Sequence, residues 1–150
     1  ELDRTQFGPG SLEETHKRRS IYFMIKRSKL VTMMQIFDQP EPLVSVGQRP
    51  STTVAPQALM FMNNPQVRKN ASSFAAKLLP QWQASPEEAV KQGYLTATGR
   101  LPTADEQTDS REFLLAAEKS YAKAGDKAKQ QALTDFCQVL FELNEFVYVE

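Results

Sequence analysis

Few residues of this 150-residue chain could do chemistry. His16 is the only histidine and Cys137 the only cysteine. An internal disulfide and a metal site built on two imidazoles are therefore excluded within the chain. His16 precedes Lys17-Arg18-Arg19, cationic neighbours ill suited to a base that must take up a proton; it reads as a solvated arm residue. Cys137 is flanked by Asp135, Phe136, Gln138 and Val139. A nucleophilic thiolate needs exposure and positive surroundings, so the spacing with Leu133, Phe136 and Leu140 predicts a buried core thiol instead. Asp105, Glu106, Asp109 and Glu112 gather on the first two turns of a predicted helix. Grouped carboxylates can exchange protons or hold a divalent cation, but at a helix start they also complement the macrodipole, which is the reading adopted. Phosphate-cradling glycine loops, a Gly-x-Ser-x-Gly elbow and paired CxxC motifs do not occur. No catalytic, metal-binding or cofactor-binding residue is assigned.

One cluster has the composition of a binding patch. Lys17, Arg18, Arg19 and Tyr22 precede Lys26 and Arg27, with the apolar run Ile21–Ile25 between the basic groups. Such a surface can contact an anionic polymer, for example an acidic polysaccharide, or an acidic surface of a protein. It can equally pack inside a larger molecule. The 18 basic and 18 acidic side chains leave no net charge, which argues against a domain devoted to nucleic-acid phosphates. The balance is uneven: residues 1–29 carry seven basic and four acidic groups, residues 101–150 five and ten. No apolar run is long enough to span a membrane.

The elements that must position these groups read as helices. Phe7-Gly8-Pro9-Gly10 marks residues 1–15 as an arm or linker. The run Ile21–Ile25 is assigned to helix, although periodicity alone does not separate it from strand. Met33, Met34, Ile36 and Phe37 predict a short helix, and Pro40 and Pro42 open an extended loop to Thr53. A helix from Thr53 stops at Asn63-Asn64. Asn64 caps the next, with Pro65 at its first position and Pro80 at its end. Ser85 and Thr103, each followed three residues later by glutamate, predict two capping boxes; Gly99 stops the helix between them. A helix through Tyr121, a break at Gly125 and a last helix carrying Leu133, Phe136, Cys137 and Leu140 complete the pattern. The expected architecture is all-α: five or six helices in an irregular bundle behind a loop-rich N-terminal third.

Taken in order, several segments resemble a known family. They are Arg18-Arg19-Ser20-Ile21-Tyr22 with Lys26-Arg27, Phe37-Asp38-x-Pro40-x-Pro42, Arg49-Pro50-Ser51-Thr52-Thr53 and Asn63-Asn64-Pro65. Thr98-Gly99-Arg100-x-Pro102-Thr103-x-x-Glu106 and Leu143-Asn144-Glu145-Phe146-Val147-Tyr148-Val149 follow. Residues 16–150 are thus similar to the C-terminal half of the planctomycete-type domain of unknown function fifteen-fifty-three. The resemblance implies a C-terminal module of a large exported, extracytoplasmic protein. It implies haem c elsewhere in that parent, in a cytochrome-c-like domain, and an upstream half of the family domain before residues 1–15. The absence of an initiator Met adds to the expectation of a fragment. The family's frequent loop cysteine has no counterpart near Val46 and Gln48, which weakens metal or disulfide chemistry there.

A structural polar network is expected from Arg49, Asn63, Asn64, Arg100, Asn144 and Glu145. Asn63-Asn64-Pro65 forms a helix-to-helix corner. Arg49 or Arg100 holds an orphan carbonyl or an acidic side chain by a forked hydrogen bond, and if such a pair is buried, losing one partner costs about 3–5 kcal/mol. The functional expectation is a non-catalytic helical interaction module that packs against other domains of its parent and contacts acidic polysaccharide or a surface protein. The alternative is part of an enzyme acting on complex polysaccharides, with a site shared with the upstream half.

Overall fold

Helix punctuation in the second half of the chain is local, and the computed structural model places most of it where the residue types demand. The structure describes residues 2–5, 7–13, 15–40, 42–45, 47–48 and 54–148. Among these are seven α-helices: α1 Thr32–Ile36, α2 Val54–Asn63, α3 Pro65–Ala84, α4 Pro86–Thr98, α5 Ala104–Ser120, α6 Ala128–Glu142 and α7 Asn144–Val147. Two 3-10 segments, Ser20–Tyr22 and Ala122–Lys127, are added, and the described residues form no strand beyond isolated bridges. The fold is all-α. It divides into two compact units, Glu1–Met60 and Phe61–Glu150, with the boundary inside α2.

The second unit is a helical bundle with a continuous core. Val67, Ala71, Ala75, Leu78 and Trp82 recur at three- and four-residue spacing on α3 and are buried. They meet Val90 and Tyr94 of α4, Leu114 of α5, and Leu133, Phe136, Cys137 and Leu140 of α6. Gly93 lets α4 approach α6 closely, because a Cβ there would lie 2.9 Å from the Phe136 ring. Helix α7 folds back, as its apolar character predicts: its Phe146 stacks on Phe141 at 4.9 Å.

Caps set the register of this bundle. Asn64 accepts the Gln66 amide at 2.7 Å and starts α3. Ser85 accepts the Glu88 amide at 3.1 Å, but the return half of that capping box does not form, since the Glu88 carboxylate takes Lys91 at 3.0 Å. Thr103 and Glu106 make both halves of theirs. Gly99 ends α4 in the left-handed region, φ 78°. Pro80 does not end α3, contrary to expectation; the helix runs on to Ala84. Pro80 and Ala76, whose carbonyl loses its partner, are both exposed, so the freed carbonyl faces water while Leu78 and Trp82 keep the buried stripe intact.

The first unit is built differently. Residues 21–25 are not a helix: one 3-10 turn, Ser20–Tyr22, leads into extended backbone. The cause is pairing with the arm. The Ser11 amide donates to the Tyr22 carbonyl at 3.1 Å and the Met24 amide to the Ser11 carbonyl at 2.9 Å. Gly10 is required for that approach, because a Cβ would sit 2.6 Å from the Tyr22 oxygen. The Asp3 amide also donates to the Lys17 carbonyl at 2.8 Å, so Asp3 and Ser11 of the arm both pair with the segment 17–24. Farther on, Gln57 is buried and donates to the Ile36 carbonyl at the end of α1.

Candidate functional site

The basic stretch is an exposed surface with one structural member. Lys17, Arg19, Tyr22, Lys26 and Arg27 are exposed, and Arg18 is half-buried. The Arg18 guanidinium donates through Nη1 to the carbonyls of Gly8 and Pro9, at 3.2 and 3.1 Å, and lies 3.8 Å over the Tyr22 ring. It therefore ties the arm down as well as carrying charge. Between the cations, Ile21 and Ile25 are 79% and 67% exposed. His16 is not a solvated residue: its ring lies parallel to Phe23, centroids 4.8 Å apart, and its Nδ1 accepts the Arg18 amide at 3.3 Å.

Arg100 forms the principal polar constellation of the second unit. Its Nε and Nη2 hold the two oxygens of Glu145 at 2.8 and 2.6 Å. Nη1 and Nη2 hold those of Glu106 at 2.8 and 2.7 Å, and Nη1 also donates to the Leu101 carbonyl. Gly99 and the Arg100-Leu101-Pro102 turn deliver the guanidinium to the start of α5, where Glu106 already accepts the Thr103 amide at 2.7 Å. Arg100, followed by the Thr103 amide, holds the Glu106 carboxyl down at about 2, and the two carboxylates push the Arg100 guanidinium up. The Glu145 pair is 38% exposed on both sides, so the penalty for breaking a buried pair does not apply to it. Arg100 also lies 5.5 Å from the Tyr94 ring, and burial pushes the Tyr94 phenol up.

Of the other residues expected in the network, Asn63 ends α2, Asn64 caps α3, and Asn144 begins α7 with its carbonyl accepting the Tyr148 amide at 2.8 Å. Arg49 lies outside the described residues. A second network was missed by sequence reasoning. Arg68 pairs with Asp135 at 2.5 Å and donates to Gln138 at 2.9 Å. Gln138 in turn donates to the Phe61 and Met62 carbonyls at the end of α2, and the Tyr121 hydroxyl donates to Asp135 at 2.8 Å. Asp135 accordingly pushes the Tyr121 phenol up. The available signal was Asp135 and Gln138, polar and three apart on a helix whose other face is apolar.

The remaining chemical candidates are otherwise engaged. Cys137 is fully buried and free, and burial pushes its thiol up. Glu106 serves as cap and ion-pair partner rather than as a free acid. Among the described residues no group of three or more His, Cys, Asp and Glu could hold a metal, and no helix is long and apolar enough to cross a membrane. A haem c attachment needs two cysteines and a histidine in one short motif; this chain, with one cysteine and one distant histidine, does not fit that group.

The family model described as PSD1, Protein of unknown function (DUF1553), matches residues 4–114. The match thus takes in most of the arm and ends within α5, before Asp135, Gln138 and Glu145 of the two polar networks. No curated protein and no solved structure matches the chain.

Proposed function

The chain belongs to the PSD1 family, Protein of unknown function (DUF1553), and on that premise we propose that it is a non-catalytic helical interaction module of a larger extracytoplasmic, haem-associated protein. The observation that carries the reading is the exposed run Ile21, Tyr22, Met24 and Ile25, bordered by Lys17, Arg19, Lys26 and Arg27. Apolar side chains held in water within a polar rim have the composition of an interface, and depletion of acidic groups in this stretch fits an acidic occupant. The occupant proposed is another domain of the parent chain. The extracytoplasmic, haem-bearing setting is supported by the family resemblance.

The engagement of Cys137 in the core and of Glu106 in a cap also supports a role in binding rather than catalysis. Amine cross-linking of the parent protein tests the proposal. Lys17, Lys26 and Lys29 are exposed and should link to residues outside this chain. Links from these three lysines confined to the chain itself would remove the proposed interface.

A further inference from the structure

The first unit holds a cleft of about 310 Å³, at the small end of the volumes that seat a ligand group. Leu2, Arg4 and Phe7 of the arm line one side, Arg19 and Tyr22 the other, and Asp3 and Arg18 complete it. The Asp3 amide's bond to the Lys17 carbonyl brings Arg4 and Arg19, far apart in the sequence, to this one cleft.

Three guanidiniums and a single carboxylate face each other here. The carboxylate is used locally: Asp3 Oδ1 accepts the Thr5 amide and the Thr5 hydroxyl, each at 2.8 Å. Arg18 is used by the Gly8 and Pro9 carbonyls and by the Tyr22 ring. Arg4 and Arg19 are different. Both are exposed, and among the described residues neither side chain makes a hydrogen bond or an ion pair. Like charges gathered around one cleft repel, and an anion seated among them removes that cost.

The same cleft leaves apolar surface uncovered, with Leu2, Phe7 and Tyr22 56%, 90% and 45% exposed. Arg19 and Tyr22 also belong to the basic and apolar run on which domain docking rests, so cleft and run are continuous. We propose that the cleft is the anchor of that interface. It takes an aspartate or glutamate of the docked domain between Arg4 and Arg19, and the apolar side chain next to it against Leu2, Phe7 and Tyr22. The proposal rests on the docking reading and adds to it the chemistry of the occupant. A guanidinium takes a carboxylate by two parallel bonds. Arginine and tyrosine in a pocket, ringed by residues that exclude water, have the composition of an interface centre; Ile21, Met24 and Ile25 supply the ring.

Zero-length carbodiimide coupling in the full parent protein tests it, because that reagent joins an amine only to a carboxylate in contact with it. Arg4→Lys and Arg19→Lys each put an amine into the cleft while keeping the charge. Each should give a new link from its position to an aspartate or glutamate outside this chain. In the same parent, Arg4→Gln, Arg19→Gln and Phe7→Ala should each speed hydrogen exchange over residues 17–29 by about fivefold or more. Lys123→Gln, an equal loss of charge at an exposed position of the second unit, should not. If Lys17, Lys26 and Lys29 link outside the chain while positions 4 and 19 couple only within it or not at all, the anchor is overturned and the interface stands. Exchange unchanged in both Arg4→Gln and Arg19→Gln would overturn the anchor as well. Links from the three lysines confined to the chain would remove the interface, and the anchor with it.

Discussion

The two units of this chain hold themselves together by different means. In Phe61–Glu150, buried apolar side chains of α3, α4, α5 and α6 meet in one core, α5 giving Leu114 alone, and the polar networks lie around that core. In Glu1–Met60, Val31 is the single buried apolar side chain among the described residues, and backbone bonds, one guanidinium and one ring stack do the organising. Burial of apolar area is the larger stabilising term. The second unit therefore has the larger share of that stabilisation, and the first leaves apolar and charged groups in water.

The comparison breaks most readily at the core. Leu133→Ala removes a fully buried side chain and should cost about 2–5 kcal/mol, seen as a lower urea midpoint at unchanged slope. Gly93→Ala adds a Cβ 2.9 Å from Phe136 and 3.2 Å from Leu140. Overpacking of about 1–3 kcal/mol outweighs the gain in helix propensity of up to about 1 kcal/mol, so thermal unfolding should shift to lower temperature; a more stable variant would mean that α4 and α6 are looser than described. Thr103→Ala deletes the capping box of α5 and should cost about 1 kcal/mol in the same assay.

A pH series sharpens the same contrast. The Glu106 carboxyl is lowered from 4.5 to about 2, so its contribution is complete above pH 4.5 and is lost as pH falls towards 2. Glu106→Gln should flatten that part of the stability profile and leave the profile above pH 5 parallel to the parent. The smallest effect is expected in the first unit: Ile25→Asp alters a side chain in water and should change stability by less than about 0.5 kcal/mol. A loss comparable to that of Leu133→Ala would show that Ile25 is part of a core after all.

Legibility in the sequence followed the range of the interaction. Asn64-Pro65, Gly99 and Thr103-x-x-Glu106 act within one turn, and each marks its boundary correctly. Pro80 misled because the buried Leu78 and Trp82 on either side hold the helix through it while Pro80 itself lies on the exposed face, and burial is not local information. Ile21–Ile25 misled because its conformation is set by Ser11, in an arm with no periodicity of its own. The Arg100–Glu145 fork spans 45 positions; the sequence puts both residues in one polar network, whereas Glu106, legible as a cap, is not legible as the second carboxylate on Arg100. Residue types located the basic stretch, but the paired arm that makes a cleft beside it depends on tertiary contacts.

On the function proposed above, the second unit keeps its core closed in every setting, and residues 17–29 become covered in the parent protein. Hydrogen–deuterium exchange of the chain alone and within its parent protein tests it most directly. The account predicts slow exchange over 128–140 in both, and exchange over 17–29 that is fast in the isolated chain and slowed in the parent. Equal exchange over 17–29 in the two settings would contradict it.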